Sequence, residues 1–70
     1  MKLCITHTET GEQNIYIGIG IELAIEYAAN ICASKREAEV LIHSMLAECE
    51  HASGYCFRNH NGFTISIETE

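Results

Sequence analysis

Tyr55-Cys56-Phe57-Arg58-Asn59-His60-Asn61-Gly62-Phe63-Thr64-Ile65-Ser66-Ile67 decides the fold, because two runs of alternating residues flank a loop that ends in glycine. That pattern predicts a β-hairpin, and two closures differ in register. A two-residue Asn61-Gly62 turn sets Phe57 opposite Ser66 and Arg58 opposite Ile65, which mixes polar and apolar groups on both faces. A three-residue loop, His60-Asn61-Gly62, instead pairs Phe57 with Ile65 and Tyr55 with Ile67. It places Gly62 in the left-handed conformation of a bulged turn. Uniform faces select the three-residue loop.

Working outward, the N-terminal end repeats the pattern around Glu9-Thr10-Gly11, which sets Ile5 opposite Ile15 and Leu3 opposite Ile17. Alternation then turns Leu3, Ile5, Ile15, Ile17, Ile19, Tyr55, Phe57, Ile65 and Ile67 inward. The outer face is expected to carry Lys2, Cys4, Thr6, Asn14, Tyr16, Gly18, Cys56, Arg58, Thr64 and Ser66. Between the hairpins, Ile21, Ala24, Ile25, Ala28, Ile31 and Cys32 recur at helical spacing, predicting a first helix over 21–33. Ser34-Lys35-Arg36-Glu37 is a capping box. Beyond it Ala38, Leu41, Ile42, Met45, Leu46, Cys49 and Ala52 form an apolar stripe, and Gly54 is placed to end a second helix over 35–53. Gly18-Ile19-Gly20 is the strand-to-helix junction. The expected architecture is α+β, in the order ββααββ: an antiparallel sheet of two hairpins packed on a helical hairpin. With no proline, linker or low-complexity run, residues 1–70 form a single domain.

At 70 residues the core is small; such a chain buries roughly 60% of its unfolded surface and one core supplies about 3–5 kcal/mol. Disulfides, a metal or a partner subunit often supplement domains of this size. The four cysteines are Cys4, Cys32, Cys49 and Cys56. Met1-Lys2-Leu3 leads directly into a strand, and no apolar run suffices to span a membrane, so a cytoplasmic protein with reduced thiols is expected. Zinc sites in small domains usually show paired ligands such as Cys-x-x-Cys, which this chain lacks. The nearest approach is Cys49-x-His51 with Cys56 and His60 beyond, but residues two apart on a helix do not face each other. His7, His43, His51 and His60 therefore read as surface or strand-end histidines, and neither a metal nor a cofactor is expected.

Catalytic signatures are equally sparse. The chain has no Asp, no nucleophile elbow and no phosphate-binding glycine loop. Gly18-Ile19-Gly20 precedes a helix, yet Glu22 in its first turn opposes an anion there. The expectation is a non-enzymatic protein, though a Cys-His pair that meets only in space leaves no trace in sequence.

Charge points elsewhere. All ten acidic residues are glutamates, set against four basic residues for a net charge of −6. Glu22, Glu26, Glu37, Glu39, Glu48 and Glu50 fall on the polar sides of the two helices, which opposes direct binding to DNA or RNA. They suit a basic surface on a protein partner. An inhibitor or adaptor fits this composition, including one that mimics nucleic-acid charge, as small acidic proteins of phages and mobile elements do. A second candidate surface is the outer sheet face, where Tyr16 and Arg58 stand among small residues and a homodimer could form. The alternative in another class is a metal- or small-ligand-binding domain that uses the Cys and His residues.

Overall fold

The computed structural model describes residues 1–51 and 53–69. Its elements run β1 (Lys2–His7), β2 (Gln13–Ile17), α1 (Ile21–Ala29), α2 (Lys35–His51), β3 (Tyr55–His60) and β4 (Phe63–Glu68). The four strands form one antiparallel sheet in the order β2-β1-β4-β3, so the first and last hairpins join through their inner strands. The class is α+β and the order is ββααββ, as the sequence predicts. The helices cover one face of the sheet, with α2 on β3 and β4 and α1 beside α2.

Both hairpin registers differ from expectation by one residue. Asn61 and Gly62 alone form the C-terminal turn, with φ of 50° and 81°, and His60 pairs with Phe63. Two left-handed residues in succession make the turn whose twist matches that of the flanking strands, and Asn-Gly is its preferred sequence. In consequence Phe57 lies opposite Ser66 and Arg58 opposite Ile65. The N-terminal loop errs the other way, one residue longer than predicted: His7 N–H bonds Glu12 C=O at 2.8 Å, and Gly11, at φ 77°, donates back to His7 C=O at 2.8 Å. Leu3 therefore faces Tyr16, and Ile5 faces Asn14.

A slip of one residue turns a whole strand over. β1 and β4 keep the predicted faces, with Leu3, Ile5, Ile65 and Ile67 buried. β2 and β3 are reversed. Ile15, Ile17, Tyr55 and Phe57, expected inside, are exposed on the outer face. Tyr16 and Arg58, expected outside, lie on the helix side, and Cys56 is buried there. The reason lies in the strand order. The reversed strands are the edges of the sheet, where the helices give partial cover. An edge position suits a side chain with an apolar body and a polar tip. Tyr16 stacks on Tyr27 of α1 at 3.9 Å between ring centroids, and the Arg58 guanidinium reaches Glu48 and Ser44 on α2.

The first helix stops at Ala29 rather than Ala33. Asn30, Ile31 and Cys32 donate to Tyr27, Ala28 and Ala29, so the chain tightens into three-residue turns instead of continuing. Ile31 and Cys32 still pack against the core. Ile21, expected in the apolar stripe, is exposed, and Ala24, Ile25 and Ala28 form the buried face. In the second helix Ala38, Ile42, Met45 and Cys49 are buried, with Leu41 and Leu46 packed at the margin. The Ser34 half of the capping box forms as predicted, with Glu37 N–H donating to Ser34 Oγ at 3.2 Å, but the Glu37 carboxylate reaches one residue further back and accepts from Ala33 N–H at 3.2 Å rather than from the Ser34 amide. At the far end α2 is described to His51, short of the expected Ser53, which is itself left-handed at φ 56°; Gly54 is left-handed as predicted, at φ 81°, and donates to Cys49 C=O. Ala52, assigned by sequence to the apolar stripe, lies outside the described residues.

Candidate interaction surface

The reversed edge strands give the outer face of the sheet a different character from the one expected. Register places Ile15, Cys4, Ser66 and Phe57 side by side in one row, and Ile17, Lys2, Glu68 and Tyr55 in the next. Large apolar side chains therefore stand on both outer strands, while the inner strands present the small Cys4 and Ser66 in one row and the charged Lys2 and Glu68 in the next. The result is a shallow trough of about 340 Å³, with Cys4 and Ser66 beneath and Ile15 and Tyr55 at its sides. Exposure is substantial along both walls: 50% for Ile15, 77% for Ile17, 48% for Tyr55 and 56% for Phe57. Lys2 Nζ and Glu68 lie 4.0 Å apart at one end, an exposed pair of small energetic weight.

The predicted acidic residues divide into two groups. Glu37 and Glu48 are engaged within the molecule. Glu37 accepts from His60 Nε2 at 2.8 Å as well as from the Ala33 amide, and these bonds hold its carboxyl below the usual carboxylate range. Glu48 accepts from Arg58, which lowers its carboxyl and raises the guanidinium. Both bind α2 to β3. By contrast Glu22 and Glu26 of α1 meet Glu39 of α2 around one cleft, with Lys35 among them. Glu50 stands apart, near Ile21 and His43. The predicted acidic surface is thus a smaller patch of three carboxylates and one ammonium.

Protein-family models, curated proteins and solved structures were searched, and none matches this chain. Geometry alone carries the functional reading.

The structure also assembles a group that sequence spacing missed. Cys49 and Cys56 are buried core thiols and His51 is exposed, so Cys49 and His51 point apart as their helix spacing requires. Among the described residues, the ligating atoms of Cys32, Glu37 and His60 instead lie within 4.8 Å of one another. Cys32 follows α1, Glu37 opens α2 and His60 ends β3, so no local motif announces the group. The one available signal was the capping box, which fixes Glu37 beside Ala33 and hence near Cys32. His60 comes to it because the corrected register turns that residue toward the helices. All four cysteines are free thiols. Burial and the Glu37 carboxylate push the Cys32 thiol up, a setting that opposes a reactive thiolate in the metal-free protein. No described helix is long and apolar enough to cross a membrane.

Proposed function

We propose that the protein is a small interaction protein, an inhibitor or adaptor, that docks on a protein partner through the outer face of its sheet. The observation that carries this reading is the set of exposed apolar residues on the two edge strands, Ile15 with Ile17 and Tyr55 with Phe57, of which Ile15 and Tyr55 flank the trough. A small chain has few large apolar residues to place, and four of them on one exposed face mark a binding surface. Aromatic residues beside Cys4 and Ser66, with the Lys2–Glu68 pair at one end, suit a partner that inserts an apolar ridge with a polar margin. The acidic patch of Glu22, Glu26 and Glu39 has a lesser role, biasing the approach toward a basic region of the same partner. Glu37 and Glu48 are not free for that task.

Affinity capture with variant baits tests the reading. Phe57→Ser and Ile17→Thr should each lose the captured partner, while Glu22→Lys combined with Glu26→Lys should retain it and slow its association. Sedimentation of the purified chain shows whether the occupant is a second copy, in which case Phe57→Ser should convert a dimer to monomer. Capture that survives Phe57→Ser and disappears on the glutamate reversals would transfer the function to the acidic helices.

A further inference from the structure

We propose that Cys32, Glu37 and His60 form a binding site for one zinc ion, completed by a water molecule or an external ligand in the fourth position. The site goes beyond the sheet-face reading and is independent of it. Three donors of the types zinc prefers, a thiol sulfur, an imidazole nitrogen and a carboxylate oxygen, already converge within 4.8 Å. The bond lengths of a tetrahedral zinc site put its donors roughly 3.3–3.7 Å apart. Closing the group onto an ion therefore needs a contraction of at most about an ångström at the widest pair, while the Glu37–His60 contact of 2.8 Å must open or pass to Oε1, both within reach of side-chain torsions.

The surroundings hold the donors in place. Both hydrogen bonds to Glu37 fall on Oε2, one from the Ala33 amide and one from His60 Nε2. Oε1 takes neither and can face the ion, while the Ala33 amide continues to orient the carboxylate. Asn61 Nδ2 donates to Ile31 C=O at 2.9 Å, which pins the β3–β4 turn beside the residue that precedes Cys32. All three donors are half-buried, so an ion there would be partly shielded from water.

Charge balances at the site. Cys32 binds as the thiolate and releases one proton to solvent, His60 binds through the Nε2 lone pair with its proton moved to Nδ1, and Glu37 binds as the carboxylate. Two negative ligands and a divalent cation sum to zero, which suits a partly desolvated position. Binding replaces the Glu37–His60 hydrogen bond by two metal bonds. It also ties the end of α1, the start of α2 and the end of β3 together, the kind of staple that a domain this small can use.

The test uses the full chain stripped of metal by chelator and titrated with Zn²⁺ by competition with a chromophoric chelator. Co²⁺ serves as a spectroscopic probe of thiolate ligation. Expected are one ion per chain, a thiolate-to-cobalt charge-transfer band, and an apparent affinity that rises about tenfold per pH unit from the single proton released. Cys32→Ser should abolish the band and weaken Zn²⁺ binding by more than roughly 100-fold, beyond the cost of removing an outer partner. His60→Gln should weaken it comparably, with circular dichroism confirming that the variant is folded. Cys4→Ser and Cys49→Ser should change neither readout. The proposal is overturned if the wild-type chain binds no stoichiometric ion, if Cys32→Ser binds as tightly as wild type, or if the band is lost with a different cysteine.

Discussion

Among the glycines, Gly54 is the most constrained. Its φ is 81°, and a Cβ placed there would stand 2.6 Å from the Thr69 carbonyl oxygen, while at Gly62, also at φ 81°, it would meet nothing within 4 Å. Gly62→Ala bears only the cost of a left-handed alanine, about 1 kcal/mol. Gly54→Ala adds a collision with backbone that cannot swing aside, so it should lower the denaturation midpoint distinctly more. Equal midpoints would show that the Thr69 segment yields freely. The thiols divide by position as well. Cys49 and Cys56 are 2% and 3% exposed, and burial raises both thiols. Modification under native conditions should therefore begin at half-buried Cys4, with Cys49 and Cys56 labelled only on unfolding. This reverses the expectation for Cys56, which the sequence placed on the outer face; rapid labelling at Cys56 would restore the predicted register.

The secondary-structure elements were legible in the sequence because each has a local signature. Ser34 and Glu37 announce the second helix, Gly54 ends it, and the glycine loops announce the hairpins. Ser34→Ala should accordingly cost about 1 kcal/mol, measured by chemical denaturation. Register was announced only at the C-terminal hairpin, by Asn61-Gly62, and the demand for uniform apolar faces overruled that signal; which face each edge strand buries depends on which strands lie under the helices. Assigning every large apolar residue to the core is sound for β1 and β4, which occupy the middle of the sheet. It fails for β2 and β3 at the edges, where Tyr16 and Arg58 reach inward through apolar stems and Ile17 and Phe57 remain outside. A matched pair of substitutions tests this directly. Tyr16→Ala removes a stacked aromatic pair and should destabilise the fold by about 2 kcal/mol. Ile17→Ala, at a site 77% exposed, should change stability by no more than about 0.5 kcal/mol. The opposite ranking would return β2 to the predicted face. The same error hid the candidate surfaces: with β2 and β3 inverted, the apolar walls of the trough read as core and His60 reads as solvent-facing.

At the scale of the whole molecule, the sequence shows net acidity, but only the structure shows which carboxylates support the fold. Glu37 and Glu48 are held below the usual carboxylate range, the first chiefly by His60 and the Ala33 amide, the second chiefly by Arg58. A carboxyl lowered in the folded state binds protons more weakly there than in the unfolded chain. Its contribution is therefore complete above the ordinary glutamate value of about 4.3 and is lost as pH falls from there through the lower folded value. Self-repulsion acts in the opposite sense, since the net charge of −6 at neutrality relaxes toward zero near pH 5.0. Stability should thus hold or rise slightly from pH 7 to pH 5 and decline below it. Glu48 is the cleaner probe, because Arg58 keeps its charge throughout. Glu48→Gln should be less stable than wild type at pH 6, and the gap should close as pH drops below about 4 because both chains then carry a neutral group at that position. Parallel curves for the two proteins across this range, measured by urea denaturation, would show that the Arg58–Glu48 pair contributes no electrostatic stability and leave Glu37–His60 as the charged contact between α2 and β3.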